Sequence, residues 1–128
     1  MSVLTVEVVT PEALKFTGQA RQVQLPGVLG EMGVLPNHEA LVSMLNPGVI
    51  EVRSPEGNRF FAVAQGFATI ANNKVCVLVD EAVEAGKVNT AKVTEDVARL
   101  ERELVEDNKN ERTRIQLAFL KAQLSLKG

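Results

Sequence analysis

Residues 30–41 read GEMGVLPNHEAL and hold the single histidine of a 128-residue chain. Gly30, Glu31, Gly33, Pro36 and His38 fall together, and three chemistries use such residues. A phosphate cradle needs G-x-x-x-x-G-K followed by Ser or Thr, and GVLGEMGVLP has the glycines but neither the lysine nor the hydroxyl. Nor does it sit between a strand and an obvious helix. A nucleophilic dyad would join His38 to Cys76, the only cysteine. Cys76 lies inside the apolar run KVCVLV, where a thiol is ordinarily an inert filler. A zinc site needs about three or four His, Cys or acidic ligands, and one His with one Cys does not supply them. The glycines read better as backbone devices. Gly30 and Gly33 permit positive φ in a tight excursion, Pro36 fixes the exit, and His38 can satisfy local backbone groups as a neutral ring. No nucleophile, base and orienting group converge, so the sequence assigns no catalytic residue and no metal ligand.

Composition narrows the partners. With 45% hydrophobic and 23% charged residues, the chain reads as soluble and globular. A net charge of −2 argues against nucleic acid, which needs a concentrated basic surface, and the absence of Trp and Tyr removes most stacking material. No apolar run approaches the roughly 20 residues of a membrane span. MSVLTVEVV lacks the basic and apolar regions of a signal peptide. A single cysteine excludes an internal disulfide and fits a reducing compartment.

The elements that must position these residues change character near residue 86. Up to Asp80 the pattern is β-like. VLTVEVV alternates, with Leu4, Val6 and Val8 on one face, and RQVQLPG alternates through Val23 and Leu25. GVIEVRSPEGNRFFAVAQGF reads as two strands joined at Ser54-Pro55-Glu56-Gly57. FATIANNKVCVLV reads as a hairpin turning at Asn72-Asn73, residues that tolerate positive φ. Turn signals at this spacing predict a small antiparallel β-sandwich over residues 1 to about 84.

Past Gly86 the period becomes helical. Val93, Val97, Leu100 and Leu104 form one apolar stripe, and Asn89 or Thr90 can cap its start. EDNKNE interrupts the pattern, and Asn108 with Glu111 resembles a capping box. A second helix follows from about Glu111 to Leu126, giving an antiparallel helical hairpin. This second helix is apolar on two faces. Ile115, Ala118, Phe119, Ala122 and Leu126 share one, and Leu117, Leu120 and Leu124 share nearly the opposite one. The first helix covers only one of them, so the other meets either the sandwich or another protein. Charge is also divided. From Arg112 onward there are four basic residues and no acid, whereas Glu95–Glu111 holds seven acids and three bases. That pattern suits pairing within the hairpin, and equally a basic, apolar helix docking on an acidic surface.

GVLGEMGVLPNHEALVSMLNPGVIEV resembles the signature of the epsilon subunit of F-type ATP synthases, G-x-x-G-E-x-G-x-L-P-x-H-x-P-L followed by L-x-P-G. Gly27, Gly30, Glu31, Gly33, Leu35, Pro36, His38, Leu41, Leu45, Pro47 and Gly48 match, and Ala40 replaces the usual proline. VEVVTPEALKFTGQARQVQLPG resembles the family's opening strand and its turn, here Phe16-Thr17-Gly18. AQGFATIANNKVCVLVDEA resembles its G-G-F segment, with Gln65 in place of the first glycine and Gly66, Phe67, Val75, Val77, Leu78 and Ala82 matching. The resemblance covers nearly the whole chain. It implies a β-sandwich over residues 1–86 that binds the gamma subunit and the ring of c subunits, and a regulatory two-helix hairpin over 87–128.

By the same resemblance the protein is a non-catalytic rotor subunit of the central stalk of a proton-translocating ATP synthase. Gly30, Glu31, Met32, Gly33 and His38 would face the c ring. The hairpin would lie folded on the sandwich or extend to the alpha and beta subunits and block hydrolysis, with Arg112, Arg114, Leu117, Leu120, Lys121 and Leu124 as its contacts. Membrane contact would come only through the complex. The location would be peripheral, on the cytoplasmic face of a bacterial plasma membrane or the stromal face of a thylakoid. A free-standing nucleotide-sensing regulator is the alternative. A small enzyme using His38 as a base is a further one, and it would require a pocket converging on that residue.

The resemblance implies no cofactor, but some family members bind ATP at the hairpin through a motif I/L-D-x-x-R-A. Here the stretch is Val88-Asn89-Thr90-Ala91-Lys92-Val93, with Asn for Asp, Lys for Arg and Val for Ala, and lysine lacks the planar fork of arginine. Arg99 is one further phosphate contact, although Glu95, Arg99 and Glu103 also read as an ordinary surface ladder. Losing each charge-assisted contact costs about 1.5–3 kcal/mol, so ATP is expected to bind through Asn89, Lys92 and Arg99 at about millimolar strength or not at all. Calorimetry returning a micromolar dissociation constant would overturn this.

Overall fold

Alternation dictates the first strand. Leu4, Val6 and Val8 point inward along β1 (Leu4–Val9) and are wholly buried, while Thr5, Glu7 and Val9 stand half-buried between them. The computed structural model describes residues 3–126. The further strands are β2 (Leu14–Ala20), β3 (Gln22–Gly27), β4 (Gly30–Val34), β5 (Leu41–Leu45), β6 (Gly48–Arg53), β7 (Arg59–Val63), β8 (Gly66–Ala71), β9 (Lys74–Val79) and β10 (Ala82–Glu84). Two helices follow, α1 (Thr90–Glu106) and α2 (Glu111–Ser125). The strands pair in the order β10-β7-β6-β3-β5-β8-β9-β1-β2, with β4 also on β3.

One residue pair, Gly27 with Leu45, joins β3 to β5, so the two halves of the path meet chiefly through their buried faces. Val23, Leu25, Ile50, Val52, Phe61 and Val63 from one half pack with Leu4, Val6, Val8, Ile70, Val75 and Val77 from the other. This is the expected β-sandwich, followed by the expected antiparallel helical hairpin. The sheet is not wholly antiparallel, because β1 and β9 run parallel from Thr5–Lys74 to Val9–Leu78. Only hairpin neighbours are forced to be antiparallel, and these two strands are far apart in sequence.

The turns expected at Asn72-Asn73 and Ser54–Gly57 are present. Asn72 and Asn73 have φ of 52° and 60°, and Gly57 has φ of 128°. Phe16-Thr17-Gly18, by contrast, is not a turn. It lies inside β2 opposite Val8, Glu7 and Val6. A Cβ on Gly18 would stand 2.8 Å from the Phe16 ring, so the missing side chain lets the ring lie flat there. That ring meets Phe61 at a 5.3 Å centroid distance and carries the Arg59 guanidinium 4.9 Å above it. The real reversal is Thr10–Ala13, where the two residues exchange backbone hydrogen bonds.

The first part of the stretch that reads as a loop in sequence is a strand. Residues 30–34 pair with β3 through Gly27–Gly30, Leu25–Met32 and Val23–Val34. Gly30 does have positive φ, at 129°, but Gly33 does not, and it sits opposite Gln24 in the ladder. The apolar alternation here is weak because glycine takes one inner position, Gly30, beside Met32 and Val34, and one outer position, Gly33. Gly66 is the tightest close approach, since a Cβ there would fall 2.1 Å from the Leu78 carbonyl oxygen.

In the hairpin, Asn89 caps α1 by accepting the Lys92 amide at 3.1 Å. The cap of α2 is Asn110, which accepts the Thr113 amide at 3.1 Å. The Asn108–Glu111 capping box does not form, because the helix begins only after Asn110. Val93, Val97 and Leu100 pack on Leu117 and Leu120, flanked by Val88 and Leu104. The other face of α2 lies on the sandwich, with Phe119 and Ala122 against Ala62 and Ala64 and with Val49, Val83 and Leu126 at the margin. Phe119 and Ala122 of the second stripe are therefore covered within the chain, while Ile115 is half-buried and Ala118 is exposed. Leu124 departs from its stripe and is 38% exposed, while Gln123 is buried in its stead. The antiparallel register sets Leu124 near the first turn of α1, whose residues Thr90, Ala91 and Lys92 are themselves exposed.

The main core cluster contains no helix residue. A chain ending at Gly86 is expected to keep the sandwich folded, losing about 1–3 kcal/mol from the uncovered Ala62 and Ala64 surface. Loss of slow-exchanging amides in β1, β8 and β9 on such truncation would overturn this.

Candidate functional site

The β3–β4 hairpin ends in a two-residue tip, Val28-Leu29, closed by the Gly27–Gly30 pair. Leu29 is fully exposed, and Val28 is half-exposed with its amide donating to the Met44 carbonyl at 2.9 Å. Alongside the tip, Val42 and Met44 of β5 are exposed at 65% and 61%, and Phe67 of β8, paired with Met44, is also exposed. Val28 and Met44 line two neighbouring hollows, of about 540 and about 490 Å³. The first continues to Phe67 and Leu78, and the second to Leu29, Met32, Leu41 and Val42. Among the described residues, several of the most exposed large apolar side chains gather here. Exposed apolar patches of this kind mark interaction surfaces or ligand grooves.

Glu31 and Gly30 stand on the rim of the second hollow, and Met32 packs partly into the core beneath it. Gly33 leaves the outer face of β4 bare, a Cβ there lying 3.0 Å from polar atoms of Gln22 and Gln24. His38 is not part of this group. It follows the far end of β4, about 13 Å of strand away from the tip, in a turn closed by its amide on the Leu35 carbonyl at 3.2 Å. Its Nδ1 contacts the Glu39 carbonyl oxygen at 2.7 Å, as expected of a ring serving local backbone. Asn37 next to it donates its amide to the Asn73 side chain at 2.5 Å, tying this turn to the β8–β9 turn. Cys76 faces outward from β9, half-buried, and burial together with Glu7 pushes its thiol up from the ordinary value, so it stays protonated. Among the described residues no three His, Cys, Asp or Glu side chains gather at metal-binding range.

The hairpin residues divide by employment. Asn89 is occupied as the cap, and Lys92 and Arg99 both pair with Asp96, at 3.5 and 3.3 Å. Arg99 therefore reaches one turn back to Asp96 and not to Glu95 or Glu103, so the expected ladder does not form. Leu117 and Leu120 are spent on α1. Lys121 stands 3.7 Å from Glu101 across the hairpin. Arg112 lines a cavity of about 490 Å³ at the seam between sandwich and hairpin, with Asp80, Glu81, Ile115 and Phe119. Arg114 is bound to the loop between the helices. Lys127, the last basic residue of the chain's second helical region, lies outside the described residues.

The tip residues Val28, Leu29, Val42 and Met44 do not stand out in the sequence as a site. One signal was available: LVSML is apolar at both parities of a strand, with only Ser43 polar, and a strand that buries one face has no use for the other set.

Comparison with known proteins bears on this arrangement. Residues 3–85 match the family described as ATP synthase, Delta/Epsilon chain, beta-sandwich domain. The ATP synthase epsilon chain of Bordetella parapertussis is 35% identical over 127 residues, covering 98% of this chain and 88% of the relative. That of Campylobacter fetus is 40% identical over 98 residues, 76% of each chain. In fold, the chain is similar to one in the cryo-EM structure of the Euglena gracilis mitochondrial ATP synthase OSCP/F1/c-ring, with a TM-score of 0.81 at 19% identity, over 98% of this chain and 81% of that one.

The edge from which the hairpin departs has its own electrostatic pin. Arg59 of β7 donates to Glu84 at the end of β10 and holds its carboxyl below the usual range, against the opposing effect of burial. A depressed carboxylate contributes stability above its unfolded value of about 4.3, and that contribution is lost as pH falls through the folded value. Glu84→Gln is expected to cost at most about 1 kcal/mol at neutral pH, as for a solvent-screened pair. The gap between the denaturation curves of variant and parent should begin to narrow near the unfolded value of about 4.3 and close once the pH lies below the folded value. A gap that does not narrow between about pH 5 and about pH 2 would show that the pair is not its cause.

Proposed function

This chain belongs to the ATP synthase epsilon chain family, and from that premise we propose that it is a non-catalytic rotor subunit of a proton-translocating F-type ATP synthase. The sandwich joins gamma to the ring of c subunits, and the hairpin is a conformational brake on ATP hydrolysis. The observation that carries this reading is the apolar tip with Glu31 on its rim. Leu29, Val28, Val42 and Met44 contribute nothing to the core, and apolar side chains held out by a rigid hairpin suit a permanent protein contact. Glu31 places one negative charge beside that patch, complementary to a basic loop on a partner.

No helix among the described residues is long and apolar enough to cross a membrane. The membrane contact in this reading is made by the complex, on the cytoplasmic face of a bacterial membrane. The hairpin in the structure is the folded-down form, with Phe119 and Ala122 on the sheet. Extending it requires that contact to be given up, and a partner on alpha or beta must supply an equivalent one. Arg112 and Lys121 are exposed and available for acidic partner loops. ATP is a weak ligand at most, since Asn89 is engaged as a cap and Asp96 already pairs with Lys92 and Arg99. The same commitments weigh against a free-standing nucleotide sensor.

Two changes made in the membrane-bound complex test this. Ending the chain at Gly86 is expected to raise ATP hydrolysis several-fold while the complex stays assembled. Glu31→Lys is expected to lower proton-driven ATP synthesis while the isolated subunit keeps its melting temperature. Unchanged hydrolysis in the first case removes the brake, and unchanged synthesis in the second removes the ring contact.

A further inference from the structure

The loop between the helices, Asp107-Asn108-Lys109-Asn110, contains neither glycine nor proline. Its shape must therefore be held by contacts, and the apolar seam does not reach it. Leu100 is buried and Leu104 partly so, but Val105, nearest the loop, is 87% exposed. The ion pair across the helices, Lys121 with Glu101, is more than half exposed on both sides and stands at 3.7 Å, so it constrains little.

Polar contacts take over at the loop. The Asp107 side chain accepts the Lys109 amide at 3.2 Å, and the Asn110 amide donates to the Asp107 carbonyl at 3.4 Å. These two are local. One contact reaches from α2 back over the loop. Arg114 donates from Nε to the Asn108 carbonyl oxygen at 2.9 Å, and a terminal guanidinium nitrogen donates to the same oxygen. A charged fork on one carbonyl is stronger and more directional than a neutral hydrogen bond.

We propose that Arg114 is a clasp that fixes the shape of the interhelical loop, and with it the angle between α1 and α2, by holding the Asn108 carbonyl within that loop. The guanidinium cannot fork onto Asn108 and onto a carboxylate of another protein at once. An acidic partner that captures Arg114 therefore frees the loop, while the apolar seam of α1 on α2 is left to hold the two helices together. The clasp belongs to the isolated chain, so it stands or falls separately from any braking of hydrolysis.

The test uses the full chain with Cys76→Ser, nitroxide labels on cysteines placed at the exposed Ala98 and Ala118, and hydrogen exchange at single amides. Arg114→Lys and Arg114→Gln are both expected to lengthen and broaden the distance distribution. Both should also speed exchange of the Asn110 and Arg114 amides by about tenfold, with β1 and β9 amides unchanged. Lys109→Gln removes an adjacent charge and is expected to leave every reading at the parent value. The clasp is overturned if both Arg114 variants keep the parent distances. It is equally overturned if Arg114→Lys behaves as the parent, because charge alone then suffices, or if sandwich amides lose protection together with the loop.

Discussion

A helix that is apolar on two opposite faces cannot be satisfied by one neighbour, and α2 is such a helix. Leu117 and Leu120 pack on α1, while Phe119 and Ala122 pack on β7. The hairpin is therefore held to the sandwich by a strip two or three side chains wide, and small residues on the sheet side keep it shallow. Ala62 and Ala64 offer little surface to grip, so the contact is worth far less than the core of the sandwich. By contrast, the pairing of α1 with α2 buries five core side chains, and the two helices can remain partners when the sheet contact is lost.

The sandwich owes its rigidity to close backbone approaches as much as to side-chain packing. Gly66 sits where β8 is gripped between Leu45 on one side and Val79 on the other. Any Cβ there would meet the Leu78 carbonyl well inside contact distance. Gly27 faces a similar limit against the Gly30 carbonyl. These positions fix how the tip is presented, because β3 must pass Gly27 before turning at Val28. A small shift of the backbone there would redirect Leu29 and Glu31 together.

How much of this was legible in the sequence depended on distance along the chain. Leu4, Val6 and Val8, the asparagine turn at Asn72-Asn73 and the stripe Val93–Val97–Leu100 declare themselves within a few residues, and the structure has them as read. The resemblance around Gly30–Gly48 led to the family, which the match over residues 3–85 supports. What escaped was set by non-local partners. Nothing in VLTVEVV says that β9 will lie parallel beside it. Nothing in KFTGQ says that Gly18 is bare to seat the Phe16 ring in a strand. Asn110 was chosen over Asn108 as cap because the loop is folded back by Arg114, six residues along. Arg99 pairs with Asp96, one turn back at i−3, and Lys92 reaches the same carboxylate from the turn before. The exposed tip was invisible for the opposite reason, since apolar residues in a strand ordinarily announce burial.

Leu29 has no neighbour to lose. A side chain that is fully exposed in the folded chain is in nearly the same surroundings when the chain is unfolded, so its identity hardly enters the folding equilibrium. On the proposed reading of the tip as a contact surface, selection for a folded protein and selection for an assembled one act on separate residues, the first on the buried alternation and the close-packed glycines, the second on the tip. Variants at Leu29 would then fold alike and differ in how long they wait unassembled, with an uncovered apolar knob open to chaperones, proteases and one another.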